Sequence, residues 1–273
     1  MKRALLLAAS ILVCANSGAQ MPGNDELRRI FSKNIELAKT GSSDAEMALC
    51  SAYSYGLGTT PDPKQALVFC LRAAKAGAPR AQLLLGDFYL HGAGTETDVP
   101  AAMYWYGQAI EGGMTQGHIG LAAIYFDLDN TRGTRNLELA ELHANEAAAA
   151  GLPMGEMYLG VMYFNGFNLE TDEKADIDYA AATLWFEKSA QRGNLISAAY
   201  LLSIYASESA HQNSYKAYFW ASVLKKHLPD TYPEDIHFEH KTVLTSMQLD
   251  AAAEELMRME QAWQSVVVAA VSI

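Results

Sequence analysis

One tyrosine recurs along this chain at a nearly fixed interval, and no other feature narrows the choice of fold as much. Tyr53, Tyr89, Tyr125, Tyr163 and Tyr205 follow one another at steps of 36, 36, 38 and 42 residues. Eight residues before each stands a small residue: Ala45, Ala81, Gly117, Gly155 and Ser197. Four before each stands a leucine: Leu49, Leu85, Leu121, Leu159 and Leu201. A second set of landmarks follows each tyrosine. Ala66, Ala102, Ala140 and Ala182 each precede a glycine by eleven residues, at Gly77, Gly113, Gly151 and Gly193. A period of this length marks stacked supersecondary units, none of which can bury its apolar face alone.

Each unit reads as two helices. Small, leucine and tyrosine residues at offsets 0, 4 and 8 share one face of a 3.6-residue helix and predict the core side of the first. A glycine turn ends it, at Gly56-Leu57-Gly58 and Gly92-Ala93-Gly94, with a single Gly166 in the fourth unit. Asp62-Pro63, and Asp98 with Pro100, then supply a cap and a first-turn proline for the second helix. That helix is rich in alanine and aromatics, as in Ala102-Met103-Tyr104-Trp105-Tyr106. Stacked pairs would bury the leucine and tyrosine rows. The predicted boundaries are a capping helix within 20–43, five units at about 44–78, 79–113, 114–151, 152–193 and 194–228, and a C-terminal cap over 229–273. Within that cap, Leu249 to Val266 reads as helical and covers the last exposed row.

Two stretches carry a family resemblance. Leu85-Gly86-Asp87-Phe88-Tyr89-Leu90-His91-Gly92-Ala93-Gly94 followed by Ala101-Ala102-Met103-Tyr104-Trp105-Tyr106-Gly107-Gln108-Ala109 resembles a Sel-1-like repeat, and so does Leu159-Gly160-Val161-Met162-Tyr163-Phe164-Asn165-Gly166 followed by Trp185-Phe186-Glu187-Lys188-Ser189-Ala190. Units one, two and four match well. Unit three lacks the glycine pair, and unit five lacks the closing glycine and carries Ser207 to Ser214 in its loop. The resemblance, to a family related to the tetratricopeptide repeats, implies an all-α fold. That fold is a right-handed α-solenoid of about five antiparallel helix pairs between N- and C-terminal capping helices. It also implies an adaptor for assembling or regulating protein complexes.

The first nineteen residues read as an export signal. Lys2 and Arg3 precede an apolar run from Ala4 to Val13, and Ser17-Gly18-Ala19 offers small residues for cleavage after Ala19. Cys14 would suit a lipoprotein only with a small residue before it, and Val13 stands there. Cleavage removes Lys2 and Arg3 and no acidic residue, taking the formal charge from -11 to -13. So acidic a chain has no mean field with which to hold a polyanion, which argues against nucleic acid. No later stretch reaches the roughly 18 to 20 apolar residues of a membrane helix. Trp263 to Ile273 is apolar but short, suited to capping, to dimerisation or to a membrane surface. The expected compartment is the periplasm of a Gram-negative bacterium; secretion to bind a host protein is the alternative.

Motifs of catalysis are scarce. The sequence holds no Gly-x-Ser-x-Gly elbow, Walker loop, His-Glu-x-x-His or Cys-x-x-Cys. Asp127, Asp129, Thr131 and Glu138 fall at positions 1, 3, 5 and 12 of a calcium loop, but Gly133 sits one place late for the turn. His237 and His240, three apart beside Asp235 and Glu239, read as an exposed polar face rather than a metal site. No cofactor is expected. Some cysteine-rich relatives of the repeat family are associated with binding or hydrolysing β-lactams, which makes an enzyme of that kind the alternative function. Only Cys50 and Cys70 survive cleavage of the signal, and no nucleophile–base constellation accompanies them.

An oxidising compartment and an even cysteine count favour a Cys50–Cys70 bridge. The register argues the other way. Cys50 occupies the slot of Gly86 and Gly160, expected to face Ala66, and Cys70 lies a helical turn beyond. That offset predicts a Cα separation past the roughly 7 Å a bridge allows. Two buried thiols are the expectation.

The face opposite the core row is the predicted binding groove. Met47 and Tyr55 lie on it in unit one, Leu83, Asp87 and His91 in unit two, Ile119 and Asp127 in unit three, and Met157, Val161 and Asn165 in unit four. Leu90, Phe126 and Phe164, each directly after its tyrosine, flank it. Methionine and aromatic side chains give adaptable contact area to a peptide or helix laid along such a groove. Asp87, Asp127 and His91 would add polar selection. The predicted protein is a non-enzymatic interaction module, either a scaffold or an inhibitor of its partner.

Overall fold

A computed structural model describes residues 24–127, 131–167, 176–207, 213–229 and 244–271, the last eight of these as helix path only. The export signal, Asp129 of the calcium-loop reading, and His237 and His240 lie outside the described residues. Twelve helices and no strand occur among those described. They fall into two compact units, one ending at Asn136 and the other beginning at Leu137.

The first unit holds α1 (Asn24–Lys39), α2 (Ser43–Tyr55), α3 (Pro63–Lys75), α4 (Pro79–His91), α5 (Val99–Glu111) and α6 (Gly117–Phe126). Each helix packs on the next, and the first helices also touch one another, α2 on α4 and α4 on α6. The second unit holds α7 (Leu137–Ala149), α8 (Pro153–Phe164), α9 (Tyr179–Gln191), α10 (Leu195–Ala206), α11 (Ser214–His227) and α12 (Ser246–Val271). It repeats the serial packing, with α8 touching α10 and α12 lying on α11.

Local chemistry sets the helix ends. The Asp62 carboxylate accepts from the Lys64 and Gln65 amides, with Pro63 opening α3, and Asp98 accepts from the Ala101 amide. Asp178, Asn194 and Asn213 cap α9, α10 and α11 in the same way. The backbone N–H just before each second helix donates to the carbonyl of the recurrent tyrosine. The five bonds are Asp62–Tyr53, Asp98–Tyr89, Asn136–Tyr125, Asp178–Tyr163 and Asn213–Tyr205, at 2.8–3.2 Å. The tyrosine interval is thus the interval of a backbone latch between the paired helices. In the turn itself, the second glycine is required twice over. Gly58 and Gly94 have φ of 74° and 77°, and a Cβ there would run into the backbone of Leu27 and Pro63 in the preceding helix.

The leucine row is buried throughout, whereas Tyr53, Tyr89, Tyr125 and Tyr163 are only half-buried. Between the helices of the second and fourth pairs lies one slot whose two occupants have complementary sizes. Gly86 admits the ring of Tyr106, which also presses on Gly120 of α6, and Gly160 admits Phe186, whose Cδ1 lies 2.6 Å from where a Cβ would sit. Cys50 and Cys70 hold the slot of the first pair.

They form a disulfide with Cα atoms 4.9 Å apart, fully buried on both sides. This corrects the expectation of two thiols. In the first, second and fourth pairs the small residue after the row leucine faces not the alanine four residues past the cap but the residue one turn further on, which in α3 is Cys70. The predicted offset therefore does not exist.

Candidate functional site

In the first unit, the predicted face of the first helices keeps a partly open surface. Met47, Tyr55, Leu83, Asp87 and Ile119 are half-buried and His91 is exposed. Met47 and Tyr55 lean on the core around the disulfide, and Leu83 on the core of the second pair. Apolar contacts thus flank a polar centre.

That centre is Asp87. The Tyr106 hydroxyl donates to its Oδ1 at 2.6 Å, reaching from α5 through the gap that Gly86 leaves in α4. Burial pushes the Asp87 carboxyl above the usual carboxylate range, opposed by the Tyr106 hydrogen bond and the charge of His91. Tyr55 is raised too, by burial and by the Asp87 charge, with Arg80 pulling the other way. A carboxylate offers about four acceptor positions, so Asp87 retains capacity to accept from a donor on a bound segment.

Other predicted groove residues sit inside the protein. Leu90 and Phe126 are buried, Leu90 in one cluster with Leu121 and Ile124 of α6. A first helix in a stack has two buried sides, one towards its own second helix and one towards the next first helix. Leu90, the residue after its tyrosine, belongs to the latter. Asp127 is buried and engaged within its own loop, accepting from the Arg132 amide at 2.9 Å and the Thr131 hydroxyl at 3.2 Å, with the Arg132 guanidinium 3.7 Å away. Burial alone would raise its carboxyl, but the Arg132 and Thr134 hydrogen bonds, the Thr131 hydroxyl and the Arg132 charge hold it below the usual range. Asp127 therefore organises the turn of the third pair, which lacks a glycine pair. Among the described residues no group of three or more His, Cys, Asp or Glu side chains is placed to hold a metal ion.

The second unit treats the same positions differently. Met157 and Val161 are buried. Phe164 enters an aromatic cluster with Tyr179, Phe186 and Tyr200, and Phe186 stacks on Tyr200 at 4.6 Å. The Asn165 side chain donates to the Val161 carbonyl and finishes its own helix.

Compared with known proteins, the chain matches the Sel1 repeat family at residues 43–77, 79–114 and 153–194, which hold the pairs α2–α3, α4–α5 and α8–α9. The chain is a Sel1 repeat protein. Among solved structures, a Sel1 repeat protein from Oxalobacter formigenes is similar over 83% of this chain and 98% of its own, at 21% identity and a TM-score of 0.59. That likeness shows the shared α-solenoid fold. A protective antigen of uropathogenic Escherichia coli strains with an SLR fold is similar over 89% of this chain and 58% of its own, at 19% identity and a TM-score of 0.47. No curated protein matches the chain. Sel1 repeats are in general protein-interaction repeats, and no helix among the described residues is long and apolar enough to cross a membrane.

In this Sel1 repeat protein the residue of the candidate site that the sequence pattern left unmarked is Tyr106. A signal for it existed: counted from the caps, Cys70, Tyr106 and Phe186 share one place, opposite Cys50, Gly86 and Gly160.

Proposed function

We propose that this protein is an exported, non-enzymatic interaction module that holds a segment of a partner protein on the first-helix face of its first unit. Met47, Leu83 and Ile119 supply apolar contact there. Asp87, set by Tyr106 and neighboured by His91 and Tyr55, accepts a hydrogen bond from the segment and favours a donor or a cation. The observation that carries this reading is the Asp87–Tyr106 pair at 2.6 Å, a desolvated acceptor in the middle of a half-exposed apolar surface. Such surfaces bind by apolar area and select by polar fit.

The buried disulfide supports export, since bridges of this kind persist in oxidising compartments. The periplasm is the compartment proposed, and the module acts there as an adaptor or as an inhibitor of its partner. The five-unit division, with its terminal caps, belongs to the same reading.

The test is capture with the tagged chain expressed in a Gram-negative host and fractionated. Parent protein and a Leu83→Lys/Ile119→Lys variant are compared after circular dichroism shows equal helicity and melting. The reading expects the protein in the periplasmic fraction with Cys50 and Cys70 oxidised, and a partner captured by the parent and lost by the variant. A cytoplasmic, reduced protein would defeat export; equal capture by both forms would defeat the site.

A further inference from the structure

The second helices repeat in register from their caps, and the sixth residue after each cap is apolar: Val68, Tyr104, Leu142, Leu184 and Phe219. The first four are 43%, 59%, 50% and 53% exposed, and the fifth is 4% exposed. What differs is a cover. Phe219 of α11 lines a cleft of about 710 Å³ together with Ala251, Met259 and Ala262 of α12.

The polar contacts of that cover are specific. Glu255 of α12 accepts from the Tyr215 hydroxyl at 2.8 Å. Glu260 accepts from Lys226 at 2.6 Å and lies 3.2 Å from His227 Nε2. The helix α11 carries three lysines and no acidic residue, whereas α12 carries four acidic residues and one arginine. The last repeat thus displays the complement of its own outward face, an acidic amphipathic helix.

One other second helix has the same chemistry. The helix α3 carries Lys64, Arg72 and Lys75 and no acidic residue. Counted from the caps, Lys64 stands where α11 has Tyr215, Val68 where it has Phe219, and Lys75 where it has Lys226. At the two flanking places α5 has Pro100 and Glu111, α7 has Glu138 and Ala149, and α9 has Ala180 and Gln191, so none of these repeats the pattern. Residues 64, 68, 72 and 75 follow one helical stripe. Among the described residues Val68 is left uncovered, and neither lysine side chain makes a hydrogen bond or an ion pair.

We propose that the outward face of α3 docks an acidic amphipathic helix of a partner protein in the manner that α12 docks on α11. Val68 meets the apolar stripe of that helix, and Lys64 and Lys75 meet two of its carboxylates. The surface is separate from the first-helix face, so it stands or falls independently of the groove reading. With one valine at its centre and exposed charges around it, the contact weakens as salt rises.

The probe is a fluorescein-labelled synthetic peptide with the sequence of residues 246–263, titrated against the full chain by anisotropy. The parent binds it, and Lys64→Glu/Lys75→Glu weakens binding by about tenfold or more. A peptide carrying Glu255→Lys and Glu260→Lys binds that variant in preference to the parent. Lys226→Glu leaves the affinity for the original peptide unchanged. No binding, or binding indifferent to the α3 substitutions, overturns the proposal. Loss in Lys226→Glu alone also overturns it, since the peptide is then exchanging with the chain's own α12. Self-association of the parent that Lys64→Glu/Lys75→Glu abolishes would assign the face to a second copy, and the partner would fall.

Discussion

Tyr106 and Phe186 fill the same slot in two different pairs, each ring admitted by a glycine on the facing helix, and they differ by one oxygen. In the first unit that oxygen reaches Asp87 and holds a carboxylate at a half-open face. In the second, Phe186 has nothing to donate and stacks on Tyr200, and Met157 and Val161 nearby on α8 are buried. Identical packing logic therefore yields a half-open polar surface in one unit and a closed aromatic cluster in the other. The repeat fixes the scaffold; single substitutions in its slots decide what each face offers.

The comparison breaks most visibly if the slot loses its ring. Tyr106→Ala should destabilise the first unit by about 3–5 kcal/mol, as truncation of a buried aromatic does. Adding Gly86→Ala should recover part of that loss, because its Cβ would enter the space the Tyr106 ring vacates. Urea unfolding of the single and double variants measures both, and additive losses would show that the two positions do not share a slot.

The disulfide is the next largest effect. It closes a separation of 20 residues and fills the first slot, so Cys50→Ala/Cys70→Ala should lose about 3 kcal/mol. Complete burial makes the bridge accessible to reductant only when the first pair opens. Denaturant should therefore accelerate its reduction steeply, which a thiol-trapping time course would reveal.

Tyr106→Phe makes the first slot chemically like that of Phe186 and should cost about 1 kcal/mol, with no loss of helicity. It should also push the Asp87 carboxyl further up, since the hydroxyl that favours its charged form is gone. A Tyr106→Phe variant with an unchanged Asp87 titration by NMR would contradict the assigned bond.

The smallest effects are in pH. Asp87 is raised in the folded state, so its contribution to stability is present at low pH and is lost as pH rises through the raised value. Asp127 is lowered, so its contribution is present above the usual carboxylate range and is lost as pH falls through the depressed value. Relative to the parent, Asp87→Asn should improve as pH increases, while Asp127→Asn should be worst near neutrality and converge in acid. Denaturation midpoints across pH 3 to 8 check the opposite slopes.

The period, the paired helices, the caps and the leucine row were all legible in the sequence, because each depends on spacing within one helix. The meeting of two helices was not. Offsets along α2 place Cys50 on a face but do not say which residue of α3 that face meets, and one turn of phase separated two thiols from a bridge. The same limit misplaced Leu90, whose burial against the neighbouring first helix leaves no mark in its own helix's pattern, and Phe126 is buried as well. Asp127 was misjudged for another reason: its loop lacks the glycine turn, and the side chain replaces what glycine does elsewhere.

In the proposed function the first unit's first-helix face, not the second's, receives the partner. A photo-crosslinking amino acid placed at Leu83, Ile119 or Asn165 in the full chain, irradiated in intact cells, tests it most directly. One shared adduct from Leu83 and Ile119, and none from Asn165, is the expected result. An adduct from Asn165 with none from the other two would contradict it.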